Sequence, residues 1–130
     1  MEKVTGIGGF FFSSPDAGVL NEWYETHLGV RRAATEYEDG SWWQKEGPTV
    51  FGAEPPDSEF GPPGKCWRIN FRVADLDAMT AQLRAAGIAV TIDPTEYPNG
   101  RFAHLHDPDG NSIELWQNGG TDAVRPADHS

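Results

Sequence analysis

The chain has 130 residues, of which 38% are apolar, with five Trp and seven Phe, a composition that excludes a disordered chain and suits one globular domain with its own core. A formal net charge of −10 at pH 7 argues against nucleic-acid binding on electrostatic grounds. A lone cysteine, Cys66, excludes an internal disulfide framework. It is expected to be a small, semi-buried strand residue, since nothing near it in sequence marks an activating base. No run approaches a membrane span, and Met1-Glu2-Lys3 leads directly into strand-like residues without a signal pattern, so a cytoplasmic protein with no membrane partner is expected.

In chain order, Val4–Phe12 reads as a strand, and Ser14-Pro15-Asp16 as a helix start. Val19, Leu20, Trp23, Tyr24, His27 and Leu28 recur on one helical face, and Gly29 ends the helix. His27, near that C-terminus, suits a packing or dipole role better than a ligand role. Short strands are expected at Arg31–Tyr37, Ser41–Lys45 and Thr49–Ala53, with a turn at Asp39-Gly40. Glu54–Lys65 carries four prolines and two glycines and reads as a linker.

Trp67–Val73 then reads as a second strand, Asp75 as an N-cap, and Leu76, Met79, Leu83 and Ala86 as the stripe of a second helix stopped by Gly87. Strands follow at Ala89–Thr95, Arg101–His106 and Asn111–Gln117, with turns at Pro98-Asn99-Gly100 and Asp107–Gly110. Aligning Asp16 with Asp75 places Phe10 on Ile69 and Phe12 on Phe71, so the chain is an internal repeat. The expected fold class is α+β, with two βαβββ modules in succession. Within this single domain, module one spans 3–53, the linker 54–65, module two 66–117 and a polar tail 118–130, where His129 lies.

Asp107-Pro108-Asp109-Gly110 is strong turn chemistry, and the strand after it carries one carboxylate, Glu114, on the face opposite Ile113 and Leu115. A single glutamate on a sheet is most often solvated. If this one is enclosed, it needs a metal, a cation, a ligand or water as partner.

The order Trp23-Tyr24…His27-Leu28-Gly29, then Phe71-Arg72-Val73-Ala74-Asp75-Leu76-Asp77, then Asp107–Trp116, set in a βαβββ repeat, resembles the vicinal oxygen chelate superfamily over residues 3–117. That superfamily includes glyoxalase I, bleomycin-resistance proteins and extradiol dioxygenases. The resemblance implies paired modules whose mixed sheet curls into a cup with helices outside, and commonly a homodimer. It also implies metal ligands, in the enzymes that hold a metal, on the first and fourth strands of each module. Those positions here are Gly9, Phe51, Arg68 and Glu114. Glycine and phenylalanine have no donor atom, and arginine has no free lone pair. The expectation is therefore no metal and no cofactor. In place of the ion, Arg68 and Glu114 are expected to meet as an ion pair.

His104 and His106 would supply further ligands if they faced the cup. With a four-residue hairpin loop at Asp107–Gly110, His106 falls opposite Asn111 and Glu114 opposite Ala103. Both histidines then lie on the other face, unless a bulge reverses them. The cup is expected to be lined by Phe11, Trp42, Trp43, Phe51 and Trp116 with the polar Arg68, Asn70, Arg72 and Glu114, a make-up suited to a small planar organic molecule. The alternative is an enzyme of the superfamily (lyase, isomerase or dioxygenase), either metal-dependent or with Glu114 as catalytic general base.

Overall fold

Helix α1 (Ala17–Leu28) begins where the Asp16 carboxylate accepts the Val19 N–H at 3.2 Å, and ends where Gly29 takes a left-handed φ of 71°. Pro15 precedes the cap. Helix α2 (Leu76–Ala85) starts in the same way, with Asp75 accepting from the Ala78 N–H at 2.9 Å. Two aspartate caps on two amphipathic stripes make both helices predictable from local chemistry. The computed structural model describes residues 1–127; His129 lies outside the described residues.

The sheet is built from β1 (Arg68–Arg72), β2 (Thr91–Ile92), β3 (Gly100–His106) and β4 (Ser112–Asn118), in the order β1-β4-β3-β2. β1 runs parallel to β4, while β3 is antiparallel to both β4 and β2, giving a mixed, unclosed sheet of the expected α+β class. Ile113, Leu115, Ala103 and Leu105 point to one face, where they pack on Leu20, Tyr24, Leu76 and Leu83 of the helices. Alternation on β4 sends Ser112, Glu114 and Trp116 to the opposite face.

The first half differs from expectation. Among the described residues, 4–12, 31–37, 41–45 and 49–53 form no strand, and Tyr37–Asp39 is a single 3-10 turn. A strand gains its ladder and packing from a neighbour, and these segments have none. Gly6, Gly8 and Gly9 weaken the first further. What docks them is side-chain contact. Phe10 and Phe12 pack on Trp67 at ring separations of 5.0 and 5.2 Å, and Arg72 donates to the Lys45 and Pro48 carbonyls.

The β3–β4 hairpin is held by one buried side chain. Asp107 accepts from the Asp109 and Asn111 N–H groups, both at 2.9 Å, from the Asn111 amide at 2.8 Å, and from the Tyr24 hydroxyl at 2.6 Å. Asn111 is thereby drawn into the loop. Its carbonyl accepts the Asp107 N–H at 3.1 Å, and the loop has five residues rather than the four expected. His106 consequently pairs with Ser112, and His104 with Glu114.

Candidate ligand site

That one-residue change sets the composition of the site. Because side chains alternate along a strand, a shift of one residue exchanges the two faces. His104 therefore stands beside Glu114, on the cup face rather than the opposite one. Asn70 lies directly across from Glu114 on β1, so the three side chains form a row across adjacent strands. The Asn70 amide donates to Glu114 Oε1 at 2.7 Å, and His104 Nε2 meets Oε2 at 2.7 Å. Glu114 keeps 21% of its side chain exposed, and each of its oxygens has one partner.

Arg68 does not pair with Glu114. β1 and β4 are in a register that puts Arg68 opposite Ser112, one row away. Its Nε donates to Ser112 Oγ at 3.1 Å and its Nη2 to the Glu59 carbonyl at 3.3 Å, and the guanidinium carbon lies 5.2 Å from the Phe60 ring centre. On the other side of Glu114, Phe102 and Trp116 stack with interplanar angle 1° and centroids 6.1 Å apart, and Tyr97 meets Phe102 edge-on. Trp116 is fixed by its indole N–H donating to the Asn99 carbonyl at 2.9 Å. Asp93 accepts from the Thr95 N–H and the Tyr97 hydroxyl. These bonds hold its carboxyl below the usual range, while the bond to Asp93 pushes the Tyr97 phenol up.

A cavity of about 910 Å³ opens over this face, walled on its far side by linker residues such as Pro55, Ser58 and Phe60. Of the residues singled out from sequence, it brings together Arg68, Asn70, Glu114 and Trp116. Phe11, Trp42, Trp43, Phe51 and Arg72 lie outside its lining. Phe11, Trp43 and Phe51 are 91%, 91% and 89% exposed, because the segments carrying them do not join the sheet. Arg72 is turned towards the 45–48 backbone. Cys66, expected to be semi-buried, is exposed at the cavity edge, one residue short of Trp67 and outside β1. Asp93, Tyr97, Phe102 and Phe60 were not foreseen, and His104, expected on the opposite face unless a bulge reversed it, stands on the cup face. For His104 the signal was Asn111, a residue that readily bonds its local backbone and so lengthens a turn.

Residues 12–115 match the sequence model of the Glyoxalase/Bleomycin resistance protein/Dioxygenase superfamily. The chain belongs to this superfamily. Among solved structures, TnmS3, an antibiotic binding protein from Streptomyces sp. CB03234, is 26% identical, with 92% of this chain and 100% of that one covered and a TM-score of 0.62. A protein from the mobile metagenome of V. Pseudocholerae, 17% identical with a TM-score of 0.59, covers 90% of this chain and 97% of its own and shares the fold. A glyoxalase family protein from Bacillus anthracis is 31% identical over 45% of this chain, which spans 47% of that protein's length, with a TM-score of 0.39. No curated protein matches the chain.

The donor set of this superfamily member does not fit a divalent metal. Of the four positions that the sequence resemblance marks for ligands, Gly9 and Phe51 offer no donor and Arg68 is a cation, so Glu114 is the one carboxylate among them and does not make a site alone. Among the described residues no three His, Cys, Asp or Glu side chains converge as a metal site.

Proposed function

We propose that this superfamily member binds and sequesters a small planar organic molecule in the cavity over the sheet. The observation that carries this reading is the parallel Phe102–Trp116 stack beside the Asn70–Glu114–His104 row. Half-buried Phe102, parallel to the buried Trp116, offers a flat apolar wall, and the row offers a few fixed polar groups, which together orient a flat ligand. The likeness to an antibiotic binding protein over the whole of that protein's length supports an antibiotic as the ligand class. In this reading Arg68, Asn70, Glu114 and Trp116 contact ligand, with His104 and Phe102 added. The chain, built of modules 3–53 and 66–117, acts as a homodimer in the cytoplasm.

The test is a titration of tryptophan fluorescence with planar polycyclic antibiotics. Saturable quenching with one site per chain is expected from Trp116 and Trp67 at the cavity wall. Phe102→Ala should weaken it at least roughly tenfold, the weight of one well-packed aromatic contact. Absence of saturable quenching across the panel would remove the reading.

A further inference from the structure

The polar groups of the cavity are arranged in order along the strands, and that order describes a ligand. The Arg68–Ser112 row, the Asn70–Glu114–His104 row and the Phe102–Trp116 row follow one another at every second residue of β4. Two residues of strand cover about 6.6 Å. The first row is cationic. Arg68 lines the cavity with Nη1 making no hydrogen bond among the described residues, and Lys65 and Glu54 of the linker also line it. The second row accepts. Each Glu114 oxygen has one partner and keeps a lone-pair direction for another donor. The third row is aromatic and flat.

Resting on the binding role argued above, we propose that the cavity selects elongated aryl acids: a carboxylate at Arg68, an N–H or O–H donor at Glu114 about 6–7 Å further on, and a planar ring beyond it against Phe102 and Trp116. An extended peptide advances at nearly the same rise per residue as a strand. An aromatic ring acylated onto a dipeptide therefore has its acid, its amide N–H and its ring in this order and at this spacing. A guanidinium meeting a carboxylate makes a charge-assisted bond, and Arg68 is already held by Ser112, Glu59 and Phe60, so little ordering remains to be done on binding.

The experiment compares four probes on the full chain by calorimetry: naphthoyl-glycyl-glycine, its C-terminal amide, the analogue with ester oxygen in place of the naphthoyl-linked N–H, and naphthamide alone. The acid should bind roughly tenfold to hundredfold more tightly than the amide or the ester analogue. Arg68→Met should erase the preference for acid over amide, and Glu114→Leu the preference for N–H over ester. Naphthamide should bind weakly to all three proteins. Equal binding of acid, amide and ester, with naphthamide still bound, would overturn the selectivity while leaving the aromatic site intact. No binding of any probe would overturn both. Since the probe comparison on the unaltered chain is decisive by itself, misfolding of a variant would not rescue the proposal.

Discussion

Replacing Tyr24 with Phe keeps the ring that packs on Trp23, Phe12 and Phe71 and removes one hydroxyl. That hydroxyl is one of four donors to the buried Asp107 carboxylate, and at 2.6 Å it is the shortest. A hydrogen bond to a charged group contributes about 1.5–3 kcal/mol, so Tyr24→Phe should cost about 2 kcal/mol. For a domain of this size each kcal/mol moves the melting temperature by about 3–5 °C, which predicts a fall of about 6–10 °C. Asp107→Ala strands four donors, opens the hairpin loop and should cost about 3–5 kcal/mol. The double variant should cost less than the sum, with coupling of about 1–2 kcal/mol.

The same contact has a signature in pH. Burial, then the bond to Asp107 and its charge, push the Tyr24 phenol well above its ordinary value. With the folded pKa above the unfolded one, this contribution is complete below about pH 10 and is lost as pH rises beyond it, because the unfolded chain then gives up the proton first. Urea denaturation followed by circular dichroism between neutral and alkaline pH reads both effects. Equal midpoints for Tyr24→Phe and the parent, or an unchanged alkaline decline in the variant, would refute the account of this hub.

On the acid side, Asp77 is held below its usual value by the Arg101 guanidinium, Asp93 by its bonds to the Thr95 N–H and the Tyr97 hydroxyl, and Glu25 by the Arg32 N–H and guanidinium. Their contributions are present above about pH 4 and lost as pH falls through the lowered values, so Asp77→Asn should lower the midpoint at neutral pH and leave it unchanged in strong acid. His104→Ala frees one Glu114 oxygen to water and should cost only about 1 kcal/mol in thermal denaturation, far less than Asp107→Ala; a larger loss would make His104 a structural rather than a ligand-facing residue. Light scattering should give twice the 14.3 kDa chain mass at micromolar concentration, since among the described residues β1 and β2 each have a free edge and the aromatic residues of 10–12 and 42–51 are exposed. A monomer would leave those surfaces unexplained.

The second half was legible because each local signal agreed with its neighbours. Asp75 caps, Leu76 and Leu83 pack, Gly87 stops the helix, and Ile113 and Leu115 alternate with Glu114 towards a core that the helices cover. Strand ends shifted by at most one residue, and the strand expected at Ala89–Thr95 shrank to Thr91–Ile92, with Pro94 two residues on lacking the N–H to continue a ladder. The first half carries the same kinds of signal, apolar runs between glycines and prolines. A strand, however, is a statement about a partner, and local composition does not name one. Helix α1 needs no such partner for its hydrogen bonds, and it appears where its cap and stripe put it.

The site turned on a smaller matter. Asp107–Gly110 reads equally well as a four-residue loop or as the first four of five, and the sequence pattern of β3, with Phe102, Ala103, His104, Leu105 and His106, tolerates both registers. In one, Glu114 looks at Ala103 and needs Arg68; in the other it looks at His104. Asn111 decides between them by bonding Asp107 with its backbone N–H and its amide, and Tyr24, from the other half of the chain, supplies the fourth donor. The identity of the group beside Glu114 is thus set by a contact 83 residues apart in sequence. If this is correct, variants that loosen the hub without touching the cavity, such as Asn111→Ala, should disturb the His104–Glu114 pair as well as stability. The imidazole proton resonances of His104 should then change in Asn111→Ala. If they stay as in the parent while the melting temperature falls, the register is held by the strands themselves and not by the loop.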